Sequence, residues 1–426
     1  MNWWFGITLW KRVLGGLVLG IAFGLLMTQV MGRAEAADWL GTWVQPIGDI
    51  FIRLIRMMIV PLIFTTLVAG VVAMKEPARL GSLGVKTIIL YLGTTFFANI
   101  IGLGFGALFR PGAGALDSIS VAEPTPLSTE RPDAIDQILG IIPENPVGAL
   151  ADANILAIIF FALLFGIGIL MAREKGEIVG RFFESASDVV LKVTHIVMEV
   201  APFGVFALIA YTTAAYGIEA FISIGWLILA VYLGLIAHMI LVYGGLIRFV
   251  LGLPVIRFFR GITDAQAVAF STASSSATLP VTITNVSENL GVKRGVAGSV
   301  LPLGATINMD GTALYLGILA LFTAQAFGID LSWWNYLLIA ITAAAVSIGA
   351  AGIPSASLFL LATVLGTFGA SPEQVALVVG FILPVDRIMD MARTVVNVTG
   401  DAAVATTVAK WEGELDEDVF HAPATV

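Results

Sequence analysis

Long apolar runs recur along almost the whole chain and restrict it to one class of fold. The runs lie at about 12–32, 41–74, 86–109, 152–172, 186–212, 219–250, 296–327 and 373–409. A helix needs about 20 predominantly apolar residues to cross a bilayer, and several of the runs exceed that length. Only 12% of the residues are charged, against about 25% in soluble domains. The sequence therefore predicts an all-α, polytopic integral membrane protein.

The first run has two interpretations, a transmembrane helix or a cleaved signal peptide. Lys11 and Arg12 precede it, and the segment 34–36 (Ala-Glu-Ala) resembles a cleavage site. The run has about twenty residues, however, whereas the apolar region of a signal peptide has about 7–15. We therefore predict that it is the first transmembrane helix.

Charged residues place the connections between the runs on alternating sides of the membrane. Six basic clusters are assigned to the cytoplasm by the positive-inside rule, at residues 11–12, 75–86, 173–181, 248–260, 293–294 and 410. The connection at 110–150 is rich in acidic residues and is assigned to the outside. This pattern predicts eight spans in the cell (inner or plasma) membrane, with both termini cytoplasmic.

Two further segments carry helix breakers where a spanning helix would be continuous. The sequence STASSSATLPVTIT at 271–284 is semi-polar and proline-broken, and SIGAAGIPSAS at 347–357 has glycines and a proline at its centre. Non-helical backbone at membrane depth is tolerated where it is buried in protein or lines a cavity. Interrupted segments in two halves of a chain also mark the binding sites of transporters. We predict re-entrant hairpins at 261–290 and 333–370, and two loosely packed helices of small residues are the alternative.

The last run contains the densest polar stretch, DRIMDMARTVVNVTGD at 386–401. At about 100° per residue, six of its polar side chains fall within an arc of about 100°. They are Asp386, Asp390, Arg393, Thr394, Asn397 and Asp401. An ionisable group at the bilayer centre costs about 2.5–3.5 kcal/mol on insertion scales, so this face is predicted to meet a partner, an ion or a substrate. Pairing of Asp390 with Arg393 alone would leave the other carboxylates with too little basic charge, since Arg387 lies about 100° round from Asp386.

A second polar motif, LGATINMDGTALY at 303–315, interrupts an otherwise apolar span. Asn308 and Asp310 with flanking glycines predict an unwound helix, whose carbonyls can coordinate Na⁺ in discontinuous transporter helices. A kink with a buried polar network is the alternative. Tyr91, Thr94 and Thr95 in the third run are unremarkable alone, since threonine commonly bonds its own helix. The absence of cysteine excludes thiolate metal sites, and no cofactor is predicted besides Na⁺ as a coupling ion.

Together these motifs resemble the dicarboxylate/amino acid:cation symporter family, which contains prokaryotic glutamate and aspartate transporters and the excitatory amino-acid transporters. The resemblance is full-length and most specific in four motifs, namely SSSATLP (274–280), NMDGT (308–312), SIGAAGIP (347–354) and DMARTVVNVTGD (390–401). It implies a glutamate-transporter-like fold of eight transmembrane helices with two re-entrant hairpins. It also implies a homotrimer whose transport domains move as elevators, with the hairpins as gates.

The resemblance further implies a division of the chain into two structural parts. A scaffold would comprise spans 1–2 at 1–75 and the outer loop with spans 4–5 at 111–215. A transport domain would comprise span 3 at 76–110 and the region 216–412. Residues 413–426 would form a cytoplasmic tail.

The family's binding residues carry over onto matching positions of this sequence. Substrate contacts are implied for Ala273, Ser274, Ser275, Thr312, Ile353, Ser357, Asp390, Arg393, Thr394 and Asn397. Arg393 would hold the side-chain carboxylate of the substrate, because a guanidinium binds carboxylates bidentately, and Asp390 would hold the ammonium group. Na⁺ ligands are implied at Tyr91, Thr94, Thr95, Gly304, Thr306, Asn308, Asp310, Ser347, Ile348, Ala350, Asn397 and Asp401.

Some positions depart from the pattern of relatives. An arginine often precedes the three serines in archaeal members, where this chain has Ala273. The resemblance implies that Arg387 would compensate from the other side of the site. Ser355 and Ser357 stand where glycine is frequent, and Ala350 stands where threonine is common.

These features favour secondary active uptake of L-aspartate or L-glutamate coupled to Na⁺. A C4-dicarboxylate is the alternative substrate, but it would leave Asp390 facing a carboxylate. Protons are the alternative coupling ion, and retention of Asp310 and Asp401 favours Na⁺. An enzyme is not expected, since the serines at 274–276 lack a nearby base, and no nucleic-acid partner is predicted. The sequence does not distinguish aspartate from glutamate as the preferred substrate, because one methylene changes the binding free energy by only about 1–3 kcal/mol.

Overall fold

The fold was analysed in a computed structural model of the chain. It describes residues 7, 9–72, 81–115, 139, 142–152, 154–217, 220–348, 356–370 and 372–423. Every regular element in these ranges is a helix, apart from an isolated antiparallel bridge between Val292 and Leu415.

Eight α-helices occupy the described part of the first half of the chain. They are α1 (Leu9–Met31), α2 (Arg33–Trp43), α3 (Gln45–Val72), α4 (Gly81–Phe109), α5 (Pro146–Ala151), α6 (Ile155–Met171), α7 (Glu177–Met198) and α8 (Ala201–Tyr216). A 3₁₀ turn, Arg173–Gly176, joins α6 to α7. In this half, α3 packs against α6, α7 and α8, and α1 packs against α8.

Ten further α-helices follow in the second half. They are α9 (Ala220–His238), α10 (Val255–Gly261), α11 (Thr263–Thr272), α12 (Ser275–Glu288), α13 (Arg294–Ile307), α14 (Asp310–Ala326), α15 (Trp333–Ile348), α16 (Ala356–Gly366), α17 (Pro372–Trp411) and α18 (Glu417–His421). Helix α9 continues as π-helical turns over Met239–Gly244 and Leu246–Val250. Helices α11 and α12 pack against each other as a helical hairpin, which we call the first hairpin, and both pack against α17. Helix α14 also packs against α17.

Several helices have the length and composition of membrane spans, in agreement with a polytopic membrane protein. Among the described residues, four helical stretches satisfy both criteria, namely Lys11–Met31, Leu83–Phe109, Ile224–Val250 and Arg294–Ala326. A fifth is formed if the bent pair Arg173–Met198 and Ala201–Ala215 is one span. Shorter apolar helices occur at Val60–Val72, Ala157–Met171 and Trp333–Ile348.

The predicted span at 186–212 differs from a continuous helix. Helix α7 ends at Met198 and α8 begins at Ala201, and the two are bent by 45°. Pro202 lies in the first turn of α8, where its missing N–H costs no helical hydrogen bond. The break therefore falls where the sequence can begin a new helix.

Helix α14 lies at the centre of the second half. All residues from Asp310 to Ala324 are buried, and α14 contacts α4, α9, α15, α16 and α17. A helix that is apolar on all sides is an interior helix. The polar residues at its N-terminus are consequently held away from the outer surface of the protein.

The C-terminal segment packs against the base of the first hairpin. The Lys293 amide donates to the Glu414 carbonyl at 3.1 Å, and the Asp416 amide donates to the Gly291 carbonyl at 2.8 Å. Arg257 Nε donates to the Ala422 carbonyl at 2.6 Å, and Phe420 is fully buried. Residues 414–422 thus connect the end of α17 to the hairpin base.

Replacement of Phe420 by alanine is expected to loosen this connection. Truncating a buried phenylalanine costs about 3–5 kcal/mol through lost burial and a residual cavity. The thermal midpoint of the purified protein in detergent should fall. Glu417→Ala is the matched control, because its ion pair with Lys410 is half-exposed and such pairs contribute at most about 1 kcal/mol. Equal midpoints for the two variants would contradict a structural role for Phe420.

Candidate substrate and cation site

Helix α17 carries the polar face predicted for residues 386–401. It runs unbroken from Pro372 to Trp411, so the helical spacing used in the prediction holds. All six side chains are buried, namely Asp386, Asp390, Arg393, Thr394, Asn397 and Asp401. The face is directed into the protein, towards α13, α14 and the hairpin arms α11 and α12.

Arg393 lies between two carboxylates of its own helix. Its Nη2 is 2.7 Å from Asp390 Oδ1 and 3.2 Å from Asp386 Oδ1. The Tyr315 hydroxyl of α14 donates to Asp386 Oδ1 at 2.8 Å. The guanidinium carbon also lies 3.9 Å from the centre of the Tyr315 ring, which is a cation–π contact. The pairing of Asp390 with Arg393, considered above as an alternative, is therefore present and extends to Asp386.

The Arg393 guanidinium retains binding capacity after these contacts. Among the described residues, its Nε and Nη1 have no hydrogen-bond partner, and neither does Asp386 Oδ2. Buried charged donors without partners are costly, about 1–3 kcal/mol or more each. An anionic group bound at this site could therefore accept hydrogen bonds from Arg393 Nε and Nη1.

The predicted interruption near Asn308 is present. Helix α13 ends at Ile307 and α14 begins at Asp310, and the intervening Asn308 (φ −88°, ψ 81°) and Met309 (φ −111°, ψ 51°) are not helical. The Asn397 side-chain carbonyl accepts from the Gly311 amide at 2.8 Å. An amide donor at the start of α14, unsatisfied within the helix, is therefore capped from α17.

Asp401 faces the same interruption from one helical turn beyond Asn397. Asn308 Nδ2 donates to Asp401 Oδ1 at 3.0 Å, and Thr94 Oγ1 donates to Asn308 Oδ1 at 3.3 Å. The hydroxyl of Tyr91 donates to the Val300 carbonyl at 3.0 Å. Residues predicted from three separate segments are thus brought into one group of oxygen-bearing side chains.

Asp310 is the centre of a neighbouring group, which we call the Asp310 cluster. Thr95 Oγ1 donates to Asp310 Oδ1 at 2.6 Å, and the Tyr243 hydroxyl donates to Oδ2 at 2.7 Å. His238 Nε2 lies 3.2 Å from the same Oδ2. Tyr243 and His238 were not predicted as site residues, and they lie where α9 passes into its π-helical turns. Such turns are frequent at functional sites, but the sequence contains no local signal for them.

Two other predicted cation ligands have hydroxyls with local partners, although the ligand predicted for Ser347 is its backbone carbonyl. Thr306 Oγ1 donates to the Leu303 carbonyl at 2.9 Å, and Ser347 Oγ donates to the Ala344 carbonyl at 2.8 Å. Both bonds are made within their own helices. Ile348 is the last residue of α15, whereas Ala350 lies outside the described residues.

The tip of the first hairpin lies between α11 and α12. Ala273 adopts a left-handed conformation with φ 51°, and the Ser274 hydroxyl caps α12 by accepting from the Ala277 amide at 3.2 Å. Ser275 is buried. Arg387 Nη2 donates to the Thr272 carbonyl at 3.2 Å. The hairpin tip is thereby connected to α17.

The remaining predicted substrate residues are divided between described and undescribed parts. Thr312 is buried in the first turn of α14, and Thr394 Oγ1 donates to the Asp390 carbonyl at 2.9 Å. Ser357 on α16 is buried and its hydroxyl has no partner among the described residues. Ile353 and Ser355 lie outside the described residues.

Comparison of the sequence with known proteins identifies the family of the chain. The profile of the Sodium:dicarboxylate symporter family matches residues 9–411. The chain belongs to the sodium:dicarboxylate symporter family. Like the other members, this symporter is a transporter and not an enzyme.

Individual relatives align with this symporter over nearly its whole length. The proton/sodium-glutamate symport protein of Bacillus subtilis (strain 168) is 38% identical over 95% of this chain and 94% of its own. The proton/glutamate-aspartate symporter of Escherichia coli (strain K12) is 38% identical over 95% and 93%. The C4-dicarboxylate transport protein of Rhizobium leguminosarum is 36% identical over 94% and 89%.

Substitution of Gly304 in this symporter tests the group around Asp401. A Cβ at Gly304 would collide with Asp401 Oδ1 and the Tyr91 hydroxyl. Gly304→Ala is therefore expected to lower the apparent affinity for Na⁺ at least tenfold, measured as the Na⁺ dependence of substrate binding. Gly298→Ala in the same helix is the matched control, because no atom lies within 4 Å of its added Cβ. The same Na⁺ dependence in both variants would contradict a cation site at Gly304.

Proposed function

We propose that this symporter takes up L-aspartate or L-glutamate by secondary active transport coupled to Na⁺. The observation that carries the proposal is the buried pair Asp390 and Arg393, joined at 2.7 Å with two Arg393 nitrogens unpartnered among the described residues. An acidic amino acid has an ammonium group for Asp390 and a distal carboxylate for Arg393. Charge-assisted bonds of this kind are stronger than neutral ones, and the names of two relatives contain glutamate.

The α-carboxylate of the substrate would bind beside this pair. Thr312, Asn397 and the backbone near Ser275 would hold it, and Thr394 would lie alongside Asp390. Ala273 and Ser274 would close the site from the first hairpin, and Ile353 and Ser357 would close it from the second. The hydroxyl of Ser357, which has no partner among the described residues, supports a polar ligand on that side.

Three cation sites accompany the substrate in this proposal. The first uses Asp401, Asn397, Asn308 and Gly304. The second uses Thr306 with backbone carbonyls of Ser347, Ile348 and Ala350. The third uses Tyr91, Thr94, Thr95, Asn308 and Asp310. Interrupted helix ends and carboxylates provide the oxygen ligands that Na⁺ takes in discontinuous helices of transporters.

Coupling would arise because one helix and one interruption serve both ligands. Asn397 holds the Gly311 amide at 2.8 Å, and Asn308 holds Asp401 at 3.0 Å. A cation bound at Asp401 would draw on these same side chains and would therefore reorder the start of α14. Thr312, a proposed substrate contact, lies in that first turn. Cation binding would thus prepare the substrate site, and by linkage the substrate would strengthen cation binding.

The wider architecture proposed here is an elevator in a homotrimer of the cell membrane. Eight spans and two hairpins would place both termini in the cytoplasm. The packing of α3 against α7 and α8, and of α1 against α8, supports a scaffold of residues 1–75 and 111–215. The mutual packing of α4, α14 and α17 supports a transport domain of residues 76–110 and 216–412. Residues 413–426 would then lie on the cytoplasmic side.

Symport of a C4-dicarboxylate with protons or Na⁺ is the second candidate. A second buried guanidinium, Arg387, lies 3.9 Å from Asp390, and one relative is named a C4-dicarboxylate transport protein. Without an ammonium group, however, such a ligand would set its carboxylate against Asp390. Excess succinate should therefore fail to compete with labelled aspartate.

Reconstitution into liposomes tests the proposal directly. With an inward Na⁺ gradient and no pH gradient, purified protein should accumulate labelled L-aspartate above the external concentration. Collapse of the gradient with a Na⁺ ionophore should release it. Accumulation driven by a pH gradient alone would show that protons, and not Na⁺, are the coupling ion. Absence of any aspartate uptake would refute the substrate assignment.

A further inference from the structure

Arg387 is a charged residue of α17, outside the six-residue polar face, to which the family resemblance assigns no ligand. It is buried, with only 8% of its surface exposed. Its Nη2 donates, at 3.2 Å, to the carbonyl of Thr272, which is the last residue of α11. The final carbonyls of a helix lack partners within the helix, and a cation there is favourable. Arg387 therefore caps the C-terminus of the first hairpin arm from another helix.

The same guanidinium faces the proposed ammonium-binding carboxylate. Arg387 Nη1 lies 3.9 Å from Asp390 Oδ2, while Arg393 Nη2 lies 2.7 Å from Asp390 Oδ1. The Asp390 carboxylate is consequently held between two cations, one on each oxygen. In the described part of the protein, Arg387 Nε and Nη1 have no hydrogen-bond partner.

No residue of the hairpin tip itself supplies this positive charge. Between Asp264 and Glu288 the sequence contains no charged side chain. The cation at the tip comes from α17. Asp386, Arg387, Asp390 and Arg393, which we call the arginine–aspartate cluster, then have a formal charge of zero.

We propose that Arg387 is a positioning residue that ties the tip of the first hairpin to Asp390 and sets the charge of the substrate site. This rests on the proposed function above. Without Arg387 the hairpin tip loses its connection to α17, and the arginine–aspartate cluster has a net charge of −1. The site then disfavours a substrate of charge −1, such as aspartate, relative to a neutral analogue, such as asparagine.

The connection is tested without any transport, by thiol accessibility. The chain contains no cysteine, so a single introduced thiol reports alone. Thr278→Cys places a reporter in a fully buried position of the first turns of α12, and Thr342→Cys places a control in a buried position of α15 in the second hairpin. Modification by N-ethylmaleimide is followed in detergent, without substrate.

Arg387→Gln is expected to raise the modification rate of the Thr278→Cys reporter at least tenfold. The Thr342→Cys reporter should stay within twofold, and Arg387→Lys should restore part of the protection because it keeps a donor and a charge. Arg294→Gln at the exposed base of the hairpin is the control for loss of one basic charge. A rate within twofold of the parent, or equal increases at both reporters, would overturn the connection.

The effect on charge is tested by selectivity. Arg387→Gln should lower the preference for aspartate over asparagine, as a ratio of KM values, at least tenfold. A merely structural role would raise the KM values of both substrates by the same factor, and that result would overturn the charge assignment. If the parent protein transports neither substrate, the proposed function fails while the accessibility measurement still decides the connection.

Discussion

Arg393→Ala is expected to abolish uptake of acidic amino acids, by at least a hundredfold in Vmax/KM for aspartate. The guanidinium is the proposed partner of the substrate's distal carboxylate, and a lost bidentate charge-assisted pair costs several kcal/mol. A neutral amino acid lacks that carboxylate and does not incur this loss. Binding of serine or alanine should therefore appear or persist in the variant.

The variant needs a control for folding, because Arg393 also neutralises Asp386 and Asp390. Removal of one partner from a buried ion pair costs about 3–5 kcal/mol. Arg393→Lys keeps the charge but lacks the planar fork of donors. It should fold as the parent does, by thermal midpoint, and still lose most of the aspartate affinity. Unchanged aspartate affinity in Arg393→Ala would refute the assignment of the carboxylate to this residue.

Asp401→Asn is expected to remove most of the dependence on Na⁺. The carboxylate is buried and accepts from Asn308 at 3.0 Å. An amide of nearly the same shape retains an oxygen but not the negative charge that offsets a bound cation. In calorimetric titrations of aspartate at several Na⁺ concentrations, half-maximal binding should require at least tenfold more Na⁺. The aspartate affinity extrapolated to saturating Na⁺ should change much less.

A surface carboxylate provides the matched control for this charge. Asp264 lies exposed in the first turn of α11, and Asp264→Asn should leave the Na⁺ dependence unchanged. An unaltered Na⁺ curve in Asp401→Asn would exclude a cation at this position. If aspartate binding were weakened equally at all Na⁺ concentrations, Asp401 would instead be assigned to the support of the substrate site.

Part of the site follows from local sequence pattern. The six polar residues of α17 are brought to one face by helical spacing alone. The same spacing also allowed Arg393 to pair with Asp386, seven residues earlier, because helical side chains lean towards the N-terminus. That contact was not predicted, because Arg393 was considered as a partner of Asp390 alone and not of Asp386, one helical turn further on. The interruption at 308–309 likewise followed from Asn308, Asp310 and their glycines.

Other contacts had no local signal. Tyr315 reaches Asp386 from α14, and Tyr243 and His238 reach Asp310 from the end of α9. In the sequence, both tyrosines lie within apolar runs like many others. Their hydroxyls become part of the site only through the packing of α9 against α14 and of α14 against α17.

The sequence by itself determined that the chain is a helical membrane protein, that α17 has a polar face, and that α13 and α14 are separated by an interruption. These are local properties, because apolar length, helical periodicity and helix breakers act within one segment. Only the tertiary structure decided which polar groups meet. Arg387 reaches Thr272 and Tyr315 reaches Asp386 because separate helices pack so that buried polar groups find partners. Such pairing depends on distances between segments, which the order of residues within one segment does not specify.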